Sequence, residues 1–190
     1  MEFHYEIKIP KIRVAVLIGR KGTVKERLEE DTNTKIKIDS DEGEVFVKGE
    51  DAISLYNTNQ IITAIGRGFN PEIAKLLLKS DYCFELINLS SYTKERKDLL
   101  RVKGRLIGTK GKCRKTIEQL TECHISIYGK TIGIIGLIEN VNIARRAIEQ
   151  LLKGSPHSHV YSWLEKHQPK EILDLGLKEQ KKQKRKVNKG

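Results

Sequence analysis

The sequence predicts an α+β protein built from two tandem copies of one β-α-α-β-β-α unit. Each copy is expected to be a three-stranded antiparallel sheet with helices on one face. Three observations carry this reading. Leu17-Ile18-Gly19-Arg20-Lys21-Gly22 recurs 89 positions later as Leu106-Ile107-Gly108-Thr109-Lys110-Gly111. At the same offset "TKIKI" (34–38) falls on "CHISI" (123–127), which sets Ile36 on Ile125 and Ile38 on Ile127. The hydrophobic patterns around the two six-residue stretches also follow one order, as expected of a repeated structural unit. A chain of 190 residues can give each of two small domains its own core.

In the first copy, Phe3, Tyr5, Ile7 and Ile9 alternate with polar residues and predict a strand. "IRVAVLIG" reads as a short apolar helix running into a glycine loop. Thr23, with Glu26 three residues on, has the spacing of a capping box for the helix that follows. "KIKI" and "VFV" predict two strands around the acidic turn "DSDEGE", and a helix from about Ala52 to Ile65 closes the unit. Asn70-Pro71-Glu72 is a helix start, so the connection between copies is expected to be ordered. The second copy repeats the pattern: strand "YCFELINL", helix "LLRVKGRLIG", helix "KCRKTIEQLTE", strands "HISIY" and "TIGII", and a closing helix ending at Gly154. The expected domains are 1–70 and 82–154, joined by a helical connection (71–81) and followed by a helical extension (155–177). A basic tail (178–190) is expected to be disordered in isolation. The two copies are expected to pack face to face as a fixed pseudo-twofold pair in a monomer.

The formal net charge is +11, and it is unevenly spread. Residues 1–70 hold 11 Lys and Arg against 12 Asp and Glu, residues 71–152 hold 15 against 9, and residues 153–190 hold 10 against 4. A neutral first copy and a basic second copy and tail suit a polyanionic partner gripped mainly in the C-terminal half. No apolar run is long enough to span a bilayer. "MEFHYEIKIPK" lacks the apolar core of a signal peptide, so a cytoplasmic location is expected. Cys83, Cys113 and Cys123 form no CxxC and read as free packing thiols. His157 and His159 have no further ligand at metal spacing. "GKT" at 129–131 lacks the first glycine of a phosphate-binding loop, since His124 stands there, and it leads into a strand. The carboxylates Asp39, Asp41, Glu42 and Glu44 sit in one short turn and read as a solvated loop. No enzyme, cofactor or metal is expected.

Glycines at both ends of a four-residue loop permit a sharp turn and let the protein backbone come close to a ligand. The helix after the loop presents free N–H groups and its positive end, which suits a phosphate. The order β-α-(G-x-x-G)-α-β-β-α in both copies resembles the type I KH domain, whose G-x-x-G loop clamps a four-nucleotide backbone. That resemblance places RNA-contacting residues in the second copy at Gly108, Thr109, Lys110 and Gly111, with Lys103, Arg105, Lys112, Arg114 and Lys115 around them. Ile107 and Ile125 would line the groove for bases. In the first copy the matching set is Gly19, Arg20, Lys21 and Gly22, with Arg13, Lys25, Ile18 and Ile36. The acidic turn of the first copy would repel an RNA strand, so the second copy is expected to carry most of the affinity. Aromatic residues make up 6% and do not cluster at the loops, which argues against a stacking platform.

The second copy, "GRLIGTKGKCRKTIEQLTECHISIYGKTIGIIG" followed by "ARRAIEQLLKGSPHSHVYSWLEK", is similar to one family over about residues 3–166. It is the partner-of-Nob-one or Dim-two proteins, with the related Krr-one proteins. The resemblance implies a non-enzymatic protein of small-subunit assembly. Such a protein binds single-stranded RNA near the 3′ end of small-subunit rRNA and assists the Nob-one endonuclease and other assembly factors. It also implies a surface formed by Val160-Tyr161-Ser162-Trp163-Leu164. Eukaryotic members usually lack the first G-x-x-G, so Gly19 and Gly22 favour an archaeal type and leave open whether the first loop binds RNA. A KH adaptor of an exosome or transcription-elongation machine, or a protein-interaction scaffold, are the alternative readings.

Overall fold

The computed structural model describes residues 3–93 and 95–167. The first unit runs β1 (Phe3–Lys8), α1 (Lys11–Ile18), α2 (Thr23–Thr32), β2 (Lys35–Asp39), β3 (Glu44–Gly49) and α3 (Ala52–Gly66). α4 (Pro71–Ala74) and one 3₁₀ turn connect it to the second unit. That unit is β4 (Tyr82–Asn88), α5 (Arg96–Ile107), α6 (Lys112–Thr121), β5 (His124–Tyr128), β6 (Thr131–Leu137) and α7 (Ile138–Leu152). α8 (His157–Lys166) follows, while the rest of the expected extension and the basic tail lie outside the described residues. The two sheets have the orders β1-β3-β2 and β4-β6-β5, all antiparallel.

The helix ends follow local chemistry. Asp51 and Asn70 accept hydrogen bonds from Ser54 N and Glu72 N and so cap α3 and α4. Gly154, at φ +99°, follows the end of α7. The expected capping box does not form. Gly22 occupies the cap of α2 at φ +85°, and Thr23 is already helical. The loop needs a left-handed residue at that position, which a β-branched side chain disfavours.

Each unit has its own core. Leu17, Leu28, Val45, Val47, Leu55, Ile61 and Ile62 fill the first; Leu89, Ile117, Ile132, Ile134 and Ile148 fill the second. α8 belongs to the second core, because Val160 and Leu164 are wholly buried in it. The expected C-terminal surface therefore comes only from the residues between them. Cys113 and Cys123 are buried, Cys83 is half-buried, and all three are free. Burial pushes the Cys123 thiol up to about 12, so it packs as a neutral group. Among the described residues no group of three His, Cys, Asp or Glu could hold a metal, and no helix is long and apolar enough to cross a membrane.

The units join in a fixed but unsymmetrical way. Ile135 on β6 is buried in the first unit's core, and Phe69 meets Phe84 edge-on at 6.0 Å. A Cβ on Gly133 would come within 2.5 Å of the Phe69 ring, so that glycine lets the connection lie on the second sheet. Ser126 Oγ donates to Arg67 O at 2.8 Å across the same joint. On the first sheet, the matching face carries exposed His4, Glu6, Lys8, Lys35, Lys37 and Lys48 around a half-buried Phe46. A pseudo-twofold pair would use one surface twice, whereas here the sheet face of one unit packs on the helix end and connection of the other.

Phe69→Ala is expected to cost roughly 3 kcal/mol and to split one cooperative unfolding transition into two. Calorimetry showing a single transition at an unchanged midpoint would mean that the joint adds no stability.

Candidate nucleic-acid interface

The two loops share one backbone conformation. Gly19 has φ 75°, ψ 178° and Gly108 has φ 70°, ψ 176°, a region open essentially to glycine alone. Lys21 and Lys110 are left-handed at φ 54° and 52°, and Gly22 and Gly111 follow at φ 85° and 75°. Each loop closes by a hydrogen bond from the second glycine's N–H to the first glycine's carbonyl, at 3.3 and 3.1 Å.

The glycines of each pair differ in role. A Cβ on Gly19 would stand 2.4 Å from Val24 Cγ2, and one on Gly108 would stand 2.7 Å from Cys113 Cβ. The first glycine is therefore where the loop packs onto the next helix. A Cβ on Gly111 would meet nothing within 4 Å, and one on Gly22 only the Glu26 carboxylate at 3.4 Å. The second glycine faces open space, where a ligand's backbone can approach. Neither α2 nor α6 has a side-chain cap; the first N–H of each helix, at Thr23 and Lys112, donates back to Arg20 O and Thr109 O in the loop.

The charges around the loops divide sharply. At the start of α6, Lys112, Arg114 and Lys115 stand within four residues, and no acid lies in its first turn. Cations at a helix N-terminus oppose the macrodipole by about 0.3–1 kcal/mol each, an arrangement that a bound anion would relieve. In α2 the corresponding turn carries Glu26. Below it lies a cleft of about 860 Å³ lined by Glu26, Glu29, Glu30 and Glu50 together with Lys35 and Lys48. The acidic turn is folded on itself. Asp39 Oδ1 accepts from Asp41 N and Glu42 N, and Lys8 pairs with Glu44 at 3.3 Å.

Placement of the individual side chains refines the expected set. Arg20, Lys21, Thr109, Lys110, Lys112 and Lys115 are exposed, and Lys103 is half-buried. Arg13 instead donates to Ile65 O at 2.8 Å and Phe69 O at 2.6 Å, so it closes the end of α3. Arg105 donates to Ser155 O at 2.7 Å. Lys25 and Arg114 pair with Glu29 and Glu118 one turn on. Ile36 and Ile125 are core residues at 3% and 5% exposure, Ile18 is half-buried, and Ile107 is exposed at 40%. Ile107 is thus the apolar residue most open to a base.

Glu29 and Glu118 are absent from the expected set. Glu29 Oε1 accepts from Ile36 N at 2.6 Å, and Glu118 Oε1 accepts from Ile125 N at 2.8 Å. These equivalent bonds tie α2 and α6 to the outer edges of β2 and β5 and set the groove width. Both glutamates, and the Lys25/Arg114 pair before them, obey the repeat's offset of 89. That periodicity is the signal by which the sequence marks them.

A helix–G-x-x-G–helix corner set against an antiparallel sheet, repeated once, defines a tandem KH protein of the nucleic-acid-binding type. Residues 83–169 match the PNO1 second-domain model, described as a eukaryotic type KH domain (KH-domain type I), and residues 4–67 match the KH domain model. A KH domain-containing protein of Methanocaldococcus jannaschii is 44% identical over 168 residues, covering 86% of this chain and 74% of its own. The RNA-binding protein PNO1 of Oryzias latipes is 34% identical over 114 residues, which is 59% of this chain and 47% of that protein. Against this eukaryotic relative, then, the chain spans under half the length. Dim2p of Pyrococcus horikoshii, solved in a complex with a/eIF2α and rRNA, is 45% identical with a TM-score of 0.82, covering 87% of this chain and 94% of that one. The chain belongs to the PNO1/Dim2 family of KH-domain proteins.

Gly108→Ala should lower the melting temperature more than Gly111→Ala. The first meets Cys113 and must move a helix, while the second bears only a left-handed strain of about 1–2 kcal/mol. Equal shifts in thermal melts would contradict the division of roles between the glycines.

Proposed function

We propose that this protein binds single-stranded RNA near the 3′ end of small-subunit rRNA and assists its processing during assembly of the small ribosomal subunit. The protein acts as a non-enzymatic binder. The second loop carries most of the affinity: Lys110 holds a phosphate where the bare Gly111 lets a strand approach, Lys112 and Lys115 add charge, and Ile107 supports a base. The carrying observation is the uncapped, wholly cationic start of α6 beside a glycine with open space in front of it. The rRNA in the complex of the P. horikoshii relative supports the target class, and the family supports the link to rRNA processing. The first loop has the same backbone but an acidic surround, so it contributes less. Partners on this reading are the Nob-one endonuclease and other assembly factors, with a counterpart of a/eIF2α among the candidates.

The test is fluorescence anisotropy with 3′-end rRNA strands and scrambled controls, using Thr109→Asp/Lys110→Asp and Arg20→Asp/Lys21→Asp. Both pairs leave the glycine frame intact. The second-loop variant is expected to lose tenfold or more, with the salt slope falling by about 0.7 for each phosphate no longer held. The first-loop variant should lose about threefold or less. Equal binding of scrambled strands, untouched by either pair, would assign the charge to the tail and the loops to a protein partner.

Relief of the left-handed strain at Lys110 gives a second test. Lys110→Gly should raise stability by about 1 kcal/mol, or about 2–4 °C in melting temperature, while weakening RNA binding. A variant that binds RNA as wild type does would show that the Lys110 charge is not used.

A further inference from the structure

α8 packs on α6 and α7, and its start meets the end of α5, where the two build a cleft. The cleft measures about 570 Å³ and reaches from Arg101 and Gly104 on α5, past Gly108 and Thr109 of the loop, to His157 and Tyr161 on α8. That size falls within the range of about 300–1,000 Å³ typical of small-ligand sites. Its charged lining is wholly basic, from Arg101, Arg105 and Lys112, with no carboxylate among the lining residues. The cleft beside the first unit's α2 holds four glutamates.

The walls are held by specific bonds. Arg105 donates to Ser155 O at 2.7 Å, and the His157 ring bonds Arg105 O through Nε2 at 2.9 Å, which staples the end of α5 to the start of α8. Arg105 Nε is buried without a partner of its own. Tyr161 packs against the His157 ring, with centroids 6.1 Å apart, and brings a phenol to the same wall. Arg101 stands at the mouth, two-thirds exposed and paired with Asp98 at 3.1 Å. Gly104 lies between this cleft and Ile107. A Cβ there would meet nothing within 4 Å, so the turn of α5 that separates groove from cleft is bare.

We infer that the α5–α8 cleft is a second RNA subsite, which takes the sugar–phosphate of a nucleotide flanking those held at the Gly108–Gly111 loop. The inference rests on the RNA-binding reading of that loop and extends it. A strand leaving the loop crosses the bare turn at Gly104, sets a phosphate against Arg101 and Lys112, and meets the Thr109 hydroxyl and the Tyr161 ring. The second unit would therefore grip a longer strand than the first, because α8 exists only there.

The experiment uses the full chain and anisotropy with a labelled tetranucleotide, and with the same strand extended by three nucleotides at its 5′ or its 3′ end. Wild type should bind one extended strand at least tenfold tighter than the tetranucleotide. Arg101→Gln/Tyr161→Phe should remove most of that gain and leave tetranucleotide affinity within twofold. A gain that survives in the double variant, or extended strands that bind no tighter, would overturn the subsite while the loop reading stands. Wild type binding none of the strands would overturn both. If the double variant melts below wild type, Arg101→Gln alone, at an exposed site, is read in its place and should still reduce the gain at least threefold.

Discussion

The contact between the first loop glycine and the following helix is the constraint on which both units depend. Gly108 lies so close to Cys113, and Gly19 to Val24, that no side chain fits between them. This forces the chain to turn within four residues, and the turn in turn sets several other features. It places the second glycine in a left-handed cap, which leaves no room for a Ser or Thr cap. It holds a lysine in a left-handed conformation at the apex, with its ammonium outward. It also aims α6 so that Glu118 reaches the edge of β5. Packing, capping and ligand access thus follow from a single close approach.

Much of this is legible in the sequence because repetition reveals what one copy hides. The offset of 89 residues alone aligns the loops with each other and β2 with β5. Where sequence reasoning falls short, the cause is a tertiary partner. Thr23 and Glu26 have the spacing of a capping box, but a loop that needs a left-handed cap overrides it. Arg13 lies near the first loop in sequence, yet α3 ends beside it, and its guanidinium donates to the carbonyls of Ile65 and Phe69. Ile36 and Ile125 point from edge strands toward the groove side in a linear reading, whereas the helices above them close over both. Glu29 and Glu118 escape such a reading because a glutamate on a charged helix face resembles any solvated residue. Within one copy only the bond to the strand edge distinguishes them; across the two copies their shared offset of 89 does.

The unsymmetrical joint is the least legible feature. Alternation in "TIGIIGLI" identifies a strand but does not show that both of its faces are buried. Ile132 and Ile134 serve the second core, while Ile135 serves the first. A strand apolar on both faces has to be covered on both, and here the Phe69 connection is the second cover. Gly133 and Gly136, which look like weak points in a strand, are places where a ring and a thiol come close.

This joint bears on how two similar loops come to differ. One chain carries two corners of equal backbone geometry, so the difference between them lies in the surroundings. Around the first corner the chain gathers Glu26, Glu29, Glu30 and the 39–44 turn. Around the second it gathers Lys112, Arg114 and Lys115 and adds α8. The field over the first corner is near neutral and that over the second strongly positive, and a phosphate backbone responds to field before it responds to fit. On the proposed reading, geometry makes both loops able to accept a strand, and charge ranks them. The corner that ranks lower still has an exposed strand edge at β1 with Phe3 and Tyr5 uncovered beside it. The two units thus present a basic end and a differently constituted end, joined at Phe69.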